Sequence, residues 1–220
     1  MRATRFPAAP RKISSSGRCS TCCRSPSGRR KRAAPRGGVV FFSAKGTWTM
    51  AVRNIVLYPD APLLQRARAY DEVTPDLALL AEDMIETMHA YEGVGLAGPQ
   101  IGLQRRIFVM HEPEREPRCI INPEILDREG EEYGEEGCLS IPRVYAQVPR
   151  ATRVVVRGFD ERGKKVEFEA RGFAARIIQH EYDHLEGICF PDRLDILTRE
   201  EKLREWEQLR ADMAEAIRSH

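Results

Sequence analysis

The run QHEYDHLEG, residues 179–187, places His180 and His184 four positions apart with Glu181 beside the first. On a helix, residues four apart sit one turn apart on the same face, so two imidazoles can meet one cation. A carboxylate next to the first ligand can reach a water on that ion and move protons at it. A hydrolytic metal ordinarily takes three protein ligands and keeps one position open for water. The same short pattern also arises by chance on helices that hold no metal, so the third ligand decides.

Three sources for that ligand compete. One protease pattern runs H-E-x-x-H-x-x-G-x-x-H; Gly187 fits it, but the last position is Phe190, which has no ligand atom. Another takes a glutamate from a later helix; Glu201 and Glu205 are available, in a heavily charged stretch that reads better as a solvated face. The third source is Cys138 in EEGCLSIP. A free cysteine is most often a small buried hydrophobe. Here two glutamates and a glycine precede it and an apolar run follows, which reads as a turn delivering the chain into a pocket.

These residues need elements to hold them. FAARIIQHEYDHLEG reads as a helix ending at Gly187, with Phe173, Ile177, Ile178 and Leu185 marking its buried sides. TPDLALLAEDMIETMHAYEG reads as another helix. Thr74 serves as its N-cap and Pro75 as its first residue; Leu77, Leu80, Ala81, Met84, Ile85 and Met88 form its apolar stripe, and Gly93 stops it. His89 lies off the stripe and reads as a solvated residue.

RNIVLYPD, RRIFVM and CIINPEIL read as strands, and TRVVVRGFDERGKKVEFEARG as a hairpin turning at DERG. GVGLAGPQIG is too rich in glycine for a stable helix. It follows a helix rather than a strand, so its formal match to a nucleotide-binding glycine loop carries no weight. REEKLREWEQLRADMAEAIR reads as a final helix with Leu203, Trp206, Leu209 or Arg210, Met213 and Ile217 facing inward. Short strands and separate helices without strand–helix alternation predict an α+β fold.

Composition narrows the class. Of 220 residues, 42% are hydrophobic and 31% charged, which reads as a soluble globular chain with no apolar run long enough for a membrane helix. The net charge of +2 hides a division. Residues 1–49 hold twelve Lys/Arg and no Asp or Glu, leaving 23 basic against 33 acidic side chains in residues 50–220. An acidic body lacks the broad basic surface that nucleic-acid binding needs. Cys119, Cys138 and Cys189 are too scattered in that body for a disulfide framework, so a reducing compartment is expected.

The basic segment 1–49 has no hydrophobic period and is expected to be disordered. It reads as a transit peptide, as a nucleic-acid arm through GRRKR, or as upstream sequence read through from an early start. The third fits the composition change at Met50 best. Its CSTCC lacks a second ligand pair and reads as an unstructured thiol cluster. The expected division is thus a basic extension, 1–49, and one domain, 50–220.

Three segments together, GVGLAGPQ at 93–100, EGCLS at 136–140 and QHEYDHLEG at 179–187, resemble the peptide deformylase family in motif, order and spacing. The resemblance covers essentially residues 50–220. It implies small antiparallel and mixed sheets packed around a central helix that carries H-E-x-x-H, plus a C-terminal helix. It also implies hydrolytic removal of the formyl group from the N-terminal formyl-methionine of nascent polypeptides, with release of formate. By that resemblance Cys138, His180 and His184 hold a divalent ion, iron(II) in the usual case, with nickel, cobalt or zinc as substitutes. Glu181 would be the acid/base, and the Gln100 side chain with the Leu139 N–H would face the developing oxyanion.

Gly93, Val94 and Gly95 would line the substrate, which pairs there as an added strand. Val94, Phe173, Ile177 and the His180 ring are candidate walls of a methionine slot, and Gly134 would widen its mouth. Gly98 stands where the family usually has alanine, which would loosen the backbone near Gln100. Arg143 stands where a glutamate is common, which would alter preference at the substrate's second or third residue.

The resemblance also implies a monomer that acts near the ribosome without binding nucleic acid or membrane. Its place would be the cytoplasm, or an organelle if residues 1–49 are a transit peptide. A general zinc endopeptidase and a non-enzymatic metal-binding adaptor remain as alternatives, and the set Gln100, Cys138, His180, Glu181 and His184 argues against the adaptor.

Overall fold

The computed structural model describes residues 52–218; the expectations for the basic extension fall outside them. Seven strands and three helices follow one another: α1 (Asp76–Ala90), β1 (Gly95–Ala97), β2 (Ile107–Met110), β3 (Arg118–Glu129), β4 (Glu132–Cys138), β5 (Ile141–Arg150), β6 (Arg153–Phe159), β7 (Lys165–Arg171), α2 (Gly172–Leu185) and α3 (Ile196–Arg218). Strands β1-β2-β3-β6-β7 form one sheet in that order and β4-β5 a second, and every strand pair is antiparallel. The fold is α+β.

Strand β2 shows why the large sheet is buried on both faces at its β1–β2 end. Its four residues IFVM are all buried. Period-2 alternation sends Ile107 and Val109 to the side of α1, with Leu77, Ala81, Met84 and Met88, and sends Phe108 and Met110 to the side of α2, with Ala174, Ala175 and Ile178. Each such large side chain contributes about 1.5–3 kcal/mol on burial. The sheet thereby fixes the position of α2. The opposite side of α2 faces the β4–β5 hairpin, whose own core includes Cys138, Val144, Val148, Phe190 and Trp206.

Several local expectations need correction. RNIVLYPD is no strand: the Val56 N–H goes to the Gln100 carbonyl at 2.7 Å and the Tyr58 N–H to the Ser140 carbonyl at 3.0 Å, single bonds to two loops rather than a ladder. Thr74 does not cap α1 with its side chain; it gives its carbonyl to the Leu77 N–H, and the helix ends at Ala90, before Gly93. The left-handed residue after it is Glu92, φ 57.

The expected turn at Cys138 is the tip of the β4–β5 hairpin, whose strands on either side were not expected. Phe173 is 52% exposed, because at the first turn of α2 it faces a cavity rather than the core. Helix α3 packs through Trp206, which is buried with its Nε1–H on the Tyr58 carbonyl at 2.9 Å, and through Leu209, whereas Met213 is 36% exposed and lines a cavity rather than the core. The side chain of Ile217 lies outside the described residues. Among the described residues no helix is long and apolar enough to cross a membrane.

Candidate metal centre

The sulfur of Cys138 and one nitrogen each of His180 and His184 all lie within 4.8 Å of one another. Cys138 ends β4 and is followed by the two-residue turn Leu139–Ser140 into β5, with a register shift at Gly137/Cys138. That turn presents the thiol to α2, where His180 and His184 stand one helical turn apart with rings 5.0 Å between centroids. The Cys138 Sγ is 3.3 Å from the His184 Nε2. Ligand bonds of about 2.0–2.3 Å would span such a set around one ion.

The outer nitrogens are already engaged. His180 Nδ1 is 2.9 Å from Glu136 Oε2, and His184 Nδ1 is 3.9 Å from the Cys189 sulfur. Their Nε2 atoms are thus left for a common centre. Burial opposes ionisation of the Cys138 thiol, but His184 and His180 outweigh it and hold the thiol well below its ordinary value. A thiolate and two imidazoles form a donor set suited to a borderline divalent ion. The residues fit a metal.

Glu181 supplies a second sign. It is buried, and its Oε2 has no hydrogen-bond partner among the described residues. Burial pushes its carboxyl up to about 7, against the opposing pull of His180 and His184. Strand β1 passes so close that a Cβ on Gly95 would fall 2.1 Å from Glu181 Oε1, so any side chain there would displace the Glu181 carboxyl. An unpartnered carboxyl balanced near neutrality beside a metal-fitting cluster has the chemistry of a proton carrier.

Gln100 is fixed from both ends. Its Oε1 accepts the Ala97 N–H at 2.8 Å, and its Nε2 lies 3.4 Å from both Cys138 Sγ and Ser140 Oγ. Gly98 does not loosen this loop. A Cβ there would meet the Arg105 and Leu103 carbonyl oxygens at 2.7 and 2.8 Å, so the glycine answers a close approach.

A cavity of about 830 Å³ opens over these groups. Gly93, Val94, Gly95, Gln100, Cys138, Leu139, Phe173, Ile177, His180 and Glu181 all line it. His184 sits behind them, 1% exposed. Gly134 does not line the cavity. The space it leaves is filled by Arg176, whose guanidinium would lie 2.7 Å from a Cβ at that position and which does line the wall. Arg143 lines the rim with φ 69.

The protease alternatives for the third ligand are placed elsewhere: Phe190 is buried in the β5 core, Glu205 pairs with Lys202 at 2.9 Å, and Glu201 is exposed on α3.

Sequence reasoning missed the group behind the ligands. Arg150, 4% exposed, holds Glu136 through two bonds of 2.9 and 3.0 Å and Asp183 through one of 2.5 Å. Asp183 also binds Arg193, and Glu136 binds Arg176. Burial alone would raise the Glu136 carboxyl; hydrogen bonds from His180 and Arg150 outweigh it and hold it well below the usual carboxylate range. One signal was available: Glu136 is two residues before Cys138, hence on the same face of a strand.

Fold and site together place two histidines and a cysteine that fit a metal ion beneath an open cavity, with a buried glutamate in reach. The comparisons with known proteins are specific. Residues 52–200 match the model of the polypeptide deformylase family, and the chain belongs to that family.

A peptide deformylase of Desulforudis audaxviator is 49% identical over 145 residues, 66% of this chain and 94% of the relative. The crystal structure of a peptide deformylase from Legionella pneumophila superposes with a TM-score of 0.70 at 38% identity, covering 74% of this chain and 98% of that one. A class I type b peptide deformylase from Acinetobacter baumannii, solved with Met-Ala-Ser bound, matches at 34% identity with a TM-score of 0.64, over 66% of this chain and all of that one.

Proposed function

We propose that the protein removes the formyl group from the N-terminal formyl-methionine of nascent polypeptides, releasing formate. The observation that carries this reading is the convergence of Cys138, His180 and His184 beside the unpartnered Oε2 of Glu181, beneath a cavity of about 830 Å³. Cys138, His180 and His184 would hold the ion, iron(II) by family likeness, with zinc, nickel or cobalt able to replace it. Such an ion, when bound, would supply Lewis acidity of the kind that lowers the pKa of a water from about 15.7 to about 7.

The protein's own groups do the rest. Glu181 takes a proton from the attacking water and passes it to the departing amine. The Gln100 Nε2 and the Leu139 N–H face the oxygen on which charge develops; removing one such donor costs about 10²–10³ in rate. Strand β1 is an edge strand, so Gly93, Val94 and Gly95 can pair with an extended substrate backbone. Val94, Phe173, Ile177 and the His180 ring form an apolar slot for the methionine side chain, with Arg176 as its polar floor. The substrate's second or third residue meets Arg143.

The protein acts as a monomer, in transient proximity to the ribosome and without binding nucleic acid or membrane. Its place is the cytoplasm, or an organelle should residues 1–49 serve as a transit peptide.

The test is formate release from formyl-Met-Ala-Ser by protein loaded anaerobically with iron(II), beside the unformylated peptide. The reading requires formate from the first and no internal cleavage of the second. Cleavage of unblocked peptides would favour an endopeptidase instead.

A further inference from the structure

A second cavity of about 480 Å³ lies against the first, and Glu135 and Tyr145 line both. Its floor is the outward face of the β4–β5 hairpin. The register pairs Tyr133 with Pro149 and Glu135 with Gln147, and alternation puts these residues on the face opposite Glu136 and Cys138. Its far wall is the start of α3 and the turn before it, with Leu194 and Thr198. Tyr133 is 64% exposed and Tyr145 55%, two large aromatic side chains held out to solvent. The Tyr145 ring lies over Gly137, where a Cβ would approach it to 2.6 Å, so it forms the lip between the two cavities.

The charges on these walls are mostly spent within the protein. Arg193 is bound to Asp183, Lys202 to Glu205, and Asp195 Oδ1 accepts the Leu197 and Thr198 N–H groups. What remains is a mixed groove, the two tyrosines, Pro149 and Leu194 beside polar groups, in which two acids (Glu135, Asp195) balance two bases (Arg193, Lys202), so that neither sign of charge is favoured in an occupant.

We propose that this groove is a docking surface for the downstream part of the formylated polypeptide, resting on the deformylase reading of the first cavity. A chain whose first residue sits at Cys138 must leave the catalytic cavity, and the groove begins at Glu135 and Tyr145, which line both cavities. From Cys138 to Tyr133 the hairpin advances about 17 Å at about 3.3 Å per residue, which an extended substrate covers with about five residues. A groove with two exposed tyrosines and balanced charge suits polypeptides that share a first residue and differ afterwards.

The experiment measures kcat/KM for formate release from formyl-Met-Ala-Ser and from the same peptide lengthened with alanine and serine to five, seven and nine residues. The expected result is a rise of about tenfold, a gain of about 1.4 kcal/mol, complete by seven residues and insensitive to exchange of the added residues for lysine or glutamate. The Tyr133→Ala and Thr198→Trp variants empty and fill the groove without touching the catalytic cavity. Both should keep the value for the tripeptide, which also shows that they fold, and lose the rise.

Equal values at every length, or a rise that survives in both variants, overturns the groove and leaves the deformylase reading intact. Absence of formate release at every length overturns that reading, and the proposal with it.

Discussion

Arg150 and Arg153 stand three residues apart, and each is held between carboxylates. Arg150 binds Glu136 and Asp183 with all three side chains no more than 6% exposed. Arg153 binds Asp127 and Glu169 on the outer sheet, where those acids are 58% and 40% exposed. The contacts are equally short, 2.5–2.9 Å in the first case and 2.6 Å in the second.

Their physical weight differs because the solvent differs. In the buried set no water replaces a lost partner, so each charge depends on the others. In the exposed set water and salt screen every pair. The buried set is also continuous with His180 through Glu136. The same pairing therefore orients a histidine of the proposed metal site in one place and decorates a surface in the other.

Substitutions can break or sharpen this contrast. Arg150→Met should have the largest effect. It leaves Glu136 and Asp183 buried without their shared partner and should cost about 3–5 kcal/mol of stability, read from urea unfolding. Glu136→Gln should come next: His180 keeps a hydrogen-bond partner but loses the carboxylate, and metal affinity should fall about 10–100-fold in chelator competition. Arg176→Met removes a partner from Glu136 that is itself only 13% exposed. Its expected cost is about 1–3 kcal/mol, measured the same way, with Arg150 still neutralising the carboxylate.

Arg153→Ala should do least. Hydrogen bonds from Arg153 hold the Asp127 and Glu169 carboxyls below their ordinary values. Carboxyls lowered in the folded state add stability above their unfolded pKa and lose it as pH falls through the folded value. The variant should therefore lose only a shallow part of the acid limb of a stability–pH curve, and added salt should erase even that. A loss comparable with that of Arg150→Met would dissolve the contrast.

Much of this was legible in the sequence, for stateable reasons. Period 3.6 in FAARIIQHEYDHL marks α2 and places both histidines on one face. The hairpin β6–β7 announces itself through alternation and a turn in which Asp160 Oδ1 accepts the Arg162 and Lys164 N–H groups.

Strand β4 was hidden because its inward face carries Gly134, Glu136 and Cys138 rather than an apolar alternation; β5 does alternate, through Val144, Ala146 and Val148, and went unread. The burial of Arg150 was hidden too, since its partners come from a strand and a helix that only the fold brings together. Arg176 in the space beside Gly134 follows from three-dimensional placement alone, which is why an absent side chain read as a wider mouth. RNIVLYPD misled in the other direction: it has the pattern of a strand, but its N–H groups are spent on two loops.

The central claim is that one metal cluster and one glutamate divide the work between them, the cluster holding the ion and Glu181 moving the proton. Glu181→Gln with metal content and formate release measured on the same sample tests it most directly. The expected outcome is about one equivalent of metal retained, as in the unchanged protein, with formate release reduced by about 10²–10⁴. Full release with the glutamine in place would contradict the assignment of the proton transfer, and loss of the metal would contradict the division of labour.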